Sequence, residues 1–443
     1  MRIDTLHLVN FKCFEDNAFE FNPNFNLIIG ENASGKTTLL EALKLLIHTI
    51  ISDSIEIKEG GRKVLRNNPI HYRGYKFDQE FRIERETECT VTINIDYFDQ
   101  NLEYKLYFQN SELNSNDSIA GNFIIGNVKK HIEIKNLINS SIRRNESKRI
   151  TLPLFSYYDV KRRHKDRYPE KKKIESSDRS LSSLATYRSP QVGLPTVGFI
   201  NWFIDESWWE FETGEKNPTF AKVKEAIVNC LEHISEIFFS GKHNRIVIKY
   251  QDSFHFFDDL SEGQKNILLL IGDISRTMIQ LNPHLGDKVL EETDGIVLID
   301  EIDLHLHPKW QRRIIGDLKR TFPKIQFIAA THSPFIIQSL TENDKLILLD
   351  GEIKTEYATN QGLEEIARFI MGVDSPEMSL RFKEMKEVAK QYFEILEQGK
   401  NADLNKKEEL KERLTRLTSP YMNNPAYLAY LEYLDQKKIA SGI

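Results

Sequence analysis

The stretch FNLIIGENASGKTTLLEALKLL, residues 25–46, constrains this chain more than any other. Residues 25–29 are a short apolar run suited to a buried strand. Residues 37–51 read as a helix with Leu39, Leu40, Leu43, Leu46, Ile47 and Ile50 on one broad apolar face. Between them, GENASGKT at residues 30–37 matches GxxxxGK[ST] in the strand–loop–helix context that gives this pattern its mechanism. Gly30 and Gly35 let the backbone curl so that N–H groups point inward. The helix N-terminus adds its positive dipole end. The expected product is a cradle for the phosphates of ATP. It is built from Gly30, Glu31, Asn32, Ala33, Ser34 and Gly35, with Thr38 just beyond. Lys36 would bridge the β- and γ-phosphates, and the Thr37 hydroxyl would ligate Mg²⁺. A chance glycine-rich turn has no reason to lie between such a strand and such a helix.

A second site is expected at GIVLIDEID, residues 295–303. An apolar strand ends in two carboxylates, at the end of a parallel strand where open α/β sheets bind ligands. Asp300 would hold Mg²⁺, and Glu301 would orient or deprotonate the attacking water. DDLSEGQKNILLL, residues 258–270, carries Ser261 followed three residues later by Gln264, a capping box that opens a helix.

LSEGQ also resembles the LSGGQ signature of ABC-type ATPases, with Glu262 in place of the first glycine. The resemblance implies that Ser261, Gly263 and Gln264 contact ATP held by a second subunit, so that two copies sandwich two ATP molecules. FIAATHSP, residues 327–334, resembles the switch strand of the same family, which implies that His332 bonds the γ-phosphate. IDLHLHP resembles the D-loop, implying an interface position for Asp303. Lys12 stands where relatives carry a basic residue beside the nucleotide. Gln191 is the Q-loop candidate by position alone.

More than two hundred residues separate Thr37 from Ser261, many more than a transporter ATPase uses. LHLVNFKCFED and IDEIDLHLHPKWQ instead resemble the RecF, SMC and OLD-like soluble ATPases. LPLFSYYDVKR and DEIDLHLHPKWQRRI are most similar to the stand-alone bacterial ATPases of the Septu anti-phage type, which include PtuA. This implies a homodimer that gates a separate effector, an HNH-type nuclease. A RecF-like repair ATPase acting on DNA is the alternative. No Toprim or HNH constellation is legible in the chain itself.

The expected fold is α/β, a P-loop NTPase of the ABC-ATPase-head type. Residues 1–160 would supply the phosphate loop and an antiparallel β subdomain, with a β-meander over 1–29 and three antiparallel strands over 79–109. Residues 161–244 would be a basic loop and helical insertion, helical through 199–240. Residues 245–355 would complete the head, and 356–443 would form a helical tail. KRRHKDRYPEKKK, residues 161–173, carries eight basic residues against two acids. It reads either as a DNA or RNA contact or as a solvated loop. Trp202, Trp208, Trp209 and Phe211 read either as a docking surface or as insertion core. Lys plus Arg is 60 against 66 Asp plus Glu, which excludes a protein that coats nucleic acid with its whole surface. Cys13, Cys89 and Cys230 lie far apart, which disfavours thiolate metal sites and disulfides. With no long apolar run, a cytoplasmic location is expected.

Overall fold

The computed structural model describes residues 1–54, 64–65, 72–77, 80–85, 88–109, 119–143, 150–159, 191–192, 196–251, 253–349, 361–397 and 404–418. The basic segment 161–173 and the serine-rich stretch after it lie outside the described residues. The chain divides into two compact units, Met1–Ile366 and Ala367–Ile443.

The first strands, β1 (Arg2–Phe11) and β2 (Phe14–Glu20), form an antiparallel hairpin. The third, β3 (Phe25–Ile29), leaves it, which corrects the expected meander. All five of its residues are buried. A strand apolar on both faces needs cover on both, and an interior position in a parallel sheet supplies it. Helix α1 (Lys36–Ser54) follows and buries Leu39, Leu40, Leu43, Leu46, Ile47 and Ile50.

The hairpin is extended by four further strands. β4 (Val64–Leu65), β7 (Glu88–Tyr97), β8 (Gln100–Gln109) and β9 (Ile119–Ile125) join it in the order β2-β1-β7-β8-β9-β4. β7 alternates buried and half-buried positions along most of its length, as a one-sided sheet requires. β5 (Tyr72–Phe77) and β6 (Glu80–Arg85) pair only with each other, so the strands expected over 79–109 divide between two sheets. A helix that the sequence did not announce, α2 (Val128–Arg143), follows β9. Its buried His131 meets the Tyr104 hydroxyl at 2.8 Å.

The second large sheet is parallel throughout. β10 (Leu154–Tyr158), β11 (Gln191–Val192), β15 (Gly295–Ile299), β16 (Ile325–Ala330) and β17 (Lys345–Leu348) assemble around β3 in the order β11-β10-β15-β16-β3-β17. Helices α3 (Thr196–Thr213) and α4 (Pro218–Cys230) form the insertion. Asn217 caps α4, accepting from the Thr219 and Phe220 amides, with Pro218 in the first turn. The insertion is not helical to residue 240, however. β12 (Ile234–Ser240) pairs antiparallel with β13 (Arg245–Tyr250), and β13 with β14 (Ser253–Phe256). Helix α5 (Glu262–Leu281) is buried along most of its length. α6 (Val289–Glu292), α7 (Pro308–Gln311), α8 (Ile314–Thr321) and α9 (Pro334–Gln338) fill the remaining connections. In the second unit, α10 (Leu380–Glu397) and α11 (Leu404–Thr418) share a small core of Val388, Ile395 and Leu410.

Buried amides clasp these elements. Gln326 of β16 accepts from the Ile3 amide at 2.8 Å and donates to the Ile3 and Asn22 carbonyls at 2.8 and 2.9 Å. It thereby joins the parallel sheet to β1 where that strand's register shifts. Asn282, at the end of α5, makes the same paired contact with both backbone groups of Leu152.

A buried ion pair holds α5 beneath β10. Arg276 donates to Asp273 from Nη2 at 2.7 Å, and the Tyr158 hydroxyl donates to the same carboxylate at 3.0 Å. Burial pushes the Asp273 carboxyl above its ordinary value, against the pull of Arg276 and Tyr158. Burial also lifts the Tyr158 phenol well above its ordinary range. Replacing Arg276 by Met would strand the carboxylate and is expected to cost about 3–5 kcal/mol of unfolding free energy, read from urea denaturation. Adding Asp273→Asn should recover part of that loss.

Candidate active site

Three loops leave one edge of the parallel sheet. Ile28 pairs with Ala330 and Ile299 with Ala329, so the chain exits β3 at Gly30, β15 at Asp300 and β16 at Thr331 side by side. The loop after β3 curls with positive φ at Ala33 (70°) and Gly35 (106°). Lys36 Nζ lies inside the curl and donates to the carbonyls of Gly30 and Glu31, both at 2.8 Å. The Ser34 hydroxyl is buried there without a hydrogen-bond partner. Such an orphan is costly unless the loop's own ligand satisfies it. Asn32 and Thr38 flank it, exposed and half-buried respectively.

Thr37 Oγ1 donates to Asp300 Oδ2 at 2.9 Å across 263 positions of sequence. The two residues expected to share Mg²⁺ are therefore in contact. Both offer oxygen, the donor that hard cations take. Among the described residues no group of three or more His, Cys, Asp or Glu side chains forms an all-protein cage. Asp300 is buried, while Glu301 is half-buried with φ 48°, turned out of the strand direction at the sheet edge. His332 is exposed between buried Thr331 and Ser333. Its turn is tied down on both sides: Thr331 Oγ1 donates to Asp303, and Ser333 Oγ donates to Gln311 at 2.6 Å. Gln311 was not singled out in the sequence, where nothing marks it beyond its place after the D-loop.

Ser261 caps α5 as expected, accepting from the Gln264 amide at 3.4 Å while Gln264 Oε1 accepts from the Ser261 amide at 3.0 Å. Gln264 Nε2 donates to the Tyr250 hydroxyl. Burial raises that phenol's pKa, so it stays protonated. Gly263 lies so close to the next loop that a Cβ there would sit 2.5 Å from the His305 carbonyl oxygen. Ser261, Glu262 and Gly263 line a shallow cleft of about 740 Å³ with His305, His307, Lys309 and Trp310. On its rim Glu232 is held below the usual carboxylate range by Lys309, with Arg313 adding to the effect.

The looser expectations fare variously. Lys12 pairs with Glu41 of α1. Gln191 lies on the sheet's edge strand, its backbone paired with Ser156. Cys89 and Cys230 are buried, and burial pushes their thiols up, Cys89 to about 12. Cys13 is exposed. Phe199 and Phe203 are insertion core, whereas Phe211 is 79% exposed.

A Cβ on Gly35 would lie 2.6 Å from Cys13 Sγ and 2.8 Å from the Phe14 ring, at a φ that side chains avoid. Strain of about 1–3 kcal/mol is expected in Gly35→Ala. ATP affinity, measured with a fluorescent analogue, should fall about tenfold or more.

Comparison with known proteins fits this geometry. The family model described as "AAA domain, putative AbiEii toxin, Type IV TA system" matches residues 25–338. The Retron Vc95 probable ATPase of Vibrio cholerae serotype O1 biovar El Tor is 27% identical over 93% of this chain and 86% of its own length. The Septu protein PtuA of Bacillus thuringiensis is 26% identical over 80% of each chain. The DNA replication and repair protein RecF of Protochlamydia amoebophila (strain UWE25) is 51% identical, but over only 11% of this chain and 13% of its own. The resemblance to the Septu-type ATPases thus extends over most of the molecule. The family match takes in the phosphate loop, the Ser261 helix, the Asp300–Glu301 turn and His332. The chain therefore belongs to this AAA domain family and is an ATPase.

Proposed function

We propose that the protein hydrolyses ATP as a homodimer closed by two nucleotides, and that this cycle switches a separate effector in anti-phage defence. The observation that carries the chemistry is the Thr37–Asp300 hydrogen bond, which brings the loops after β3 and β15 to one point.

The loop from Gly30 to Thr38 binds the triphosphate through inward N–H groups, the Ser34 hydroxyl and the Lys36 ammonium, which exchanges its carbonyl partners for phosphate oxygens. Thr37 and Asp300 would hold Mg²⁺, which when bound would neutralise charge on the phosphates. Glu301 orients a water and takes its proton, and His332 donates to the γ-phosphate. The Ser261, Gly263 and Gln264 contacts run to Tyr250, His305 and Trp310, on other elements of the same chain. In the dimer these three residues complete the nucleotide site of the other copy.

The defence reading is supported by relatives named for retron and Septu systems that align over most of the chain. The effector is an HNH-type nuclease on a separate chain, and nucleic acid contact by the complex belongs to the same reading. The RecF-like repair alternative has a narrower base, since RecF relatives match over 47 to 98 residues. The division into head, insertion and tail at residues 160, 244 and 355 and a cytoplasmic location remain parts of the proposal. No helix among the described residues is long and apolar enough to cross a membrane.

Glu301→Gln is expected to bind ATP normally while turnover falls about 10²-fold or more, with the chain eluting as a dimer in ATP. Undiminished turnover would remove Glu301 from the chemistry. Ser261→Arg should abolish hydrolysis yet leave ATP binding to the monomer intact. A Ser261→Arg protein that turns over ATP normally would overturn the sandwich.

A further inference from the structure

The sheet β12–β13–β14 has one face in the core and one open. On the core face Ile237, Ile246 and Ile248 are buried. Alternate residues of a strand point to opposite faces, and the register places Phe238 opposite Val247 and Val247 opposite Phe256, with Lys249 opposite Phe254. The open face therefore presents Phe238, Phe254 and Phe256 together with Arg245 and Lys249. Phe254 is 62% exposed, and the other two rings are half-buried.

These rings are interleaved with cations. Lys249 Nζ lies 5.9 Å from the Phe254 ring centre, and the Arg245 guanidinium lies 5.2 Å from that of Phe256. The His243 ring meets Phe256 edge-on at 5.5 Å, and Phe254 meets Phe238 at 6.3 Å. Lys242 is exposed in the β12–β13 turn. Among the described residues three acids border the face: Glu236, opposite Lys249, Asp258, 3.8 Å from Arg245, and Asp259, whose carboxylate accepts from the Phe256 amide at 3.3 Å. The surface is thus aromatic, with cations set against its rings and acids at its border.

A purely solvated sheet face gains nothing from three phenyl rings. Docking an apolar protein surface here would strip water from Lys249 and from the Arg245–Asp258 pair without supplying a new partner. One chemistry uses both features, a polymer with stackable rings and a phosphate backbone. We propose that this face binds a single strand of nucleic acid, stacking bases on Phe238, Phe254 and Phe256 and placing phosphates against Arg245, Lys249 and Lys242. Adjacent strands lie about 4.8 Å apart, so the backbones of β12 and β14 are about 10 Å apart, and the Phe238 and Phe254 ring centres approach to 6.3 Å. At about 3.4 Å per stacked base, that accommodates two or three bases. A duplex has its base faces occupied by its own stack and does not fit. Ring stacking and phosphate contacts are indifferent to the sugar, so DNA and RNA strands bind alike.

The test is fluorescence anisotropy of the full-length protein with labelled 20-mer oligothymidylate and oligouridylate, across a salt series. Both should bind, and a duplex of equal length should bind more weakly. Phe254→Ala, whose exposed ring contributes little to folding, should weaken single-strand binding about tenfold or more, and Phe254→Trp should restore it. Lys249→Ala should reduce the salt slope by about 0.7. Absence of binding to both oligomers would overturn the proposal. So would binding unchanged in both Phe254→Ala and Lys249→Glu, which would put the strand on another surface such as residues 161–173.

Discussion

The chemistry depends on five residues near the N-terminus pairing with strands more than 270 positions away. β3 lies between β16 and β17, and both pairings are parallel. Parallel pairing makes neighbouring strands end at the same edge, so the loops after β3, β15 and β16 cannot avoid one another. The contact of Thr37 with Asp300 follows from that arrangement more than from either residue's local sequence. It also explains why carboxylates at the end of one strand and a glycine-rich turn at the end of another are read together.

The polar interior serves the same registration. Gln326 and Asn282 each present a full amide to both backbone groups of a single residue on another element. A one-residue slip of either partner would leave several buried donors and acceptors without mates, at about 1–3 kcal/mol each. Apolar packing alone tolerates such slips more readily. The Asp273–Arg276–Tyr158 group adds charge to this specificity under β10.

Sequence reading recovered features whose signals are local. The glycine-rich turn after β3, the apolar face of α1, the Ser261–Gln264 capping box and the buried strand β10 are each decided within about ten residues. It misplaced β3 because alternation tells whether a strand exists but not what covers it. It carried the helical stretch that begins at Phe199 on through residues 234–240. The register of β12 shifts between Ile234 and Glu236, and this bulge breaks the period of two that would have marked a strand. Gln326 and Gln311 carried no signal, since a glutamine's role is set by what lies across from it. The aromatic face was equally hidden, because its three rings come from two strands and meet only through the pairing of β12, β13 and β14.

The close approach of Cys13 to Gly35 makes the molecule its own reporter. The other two thiols are buried and held protonated, so a thiol reagent at neutral pH has one accessible target. That sulfur rests against the turn through which the phosphate loop passes. A small fluorophore attached there would sense the loop's conformation directly, without an engineered cysteine, and its rate of attachment would itself measure how tightly the loop is closed.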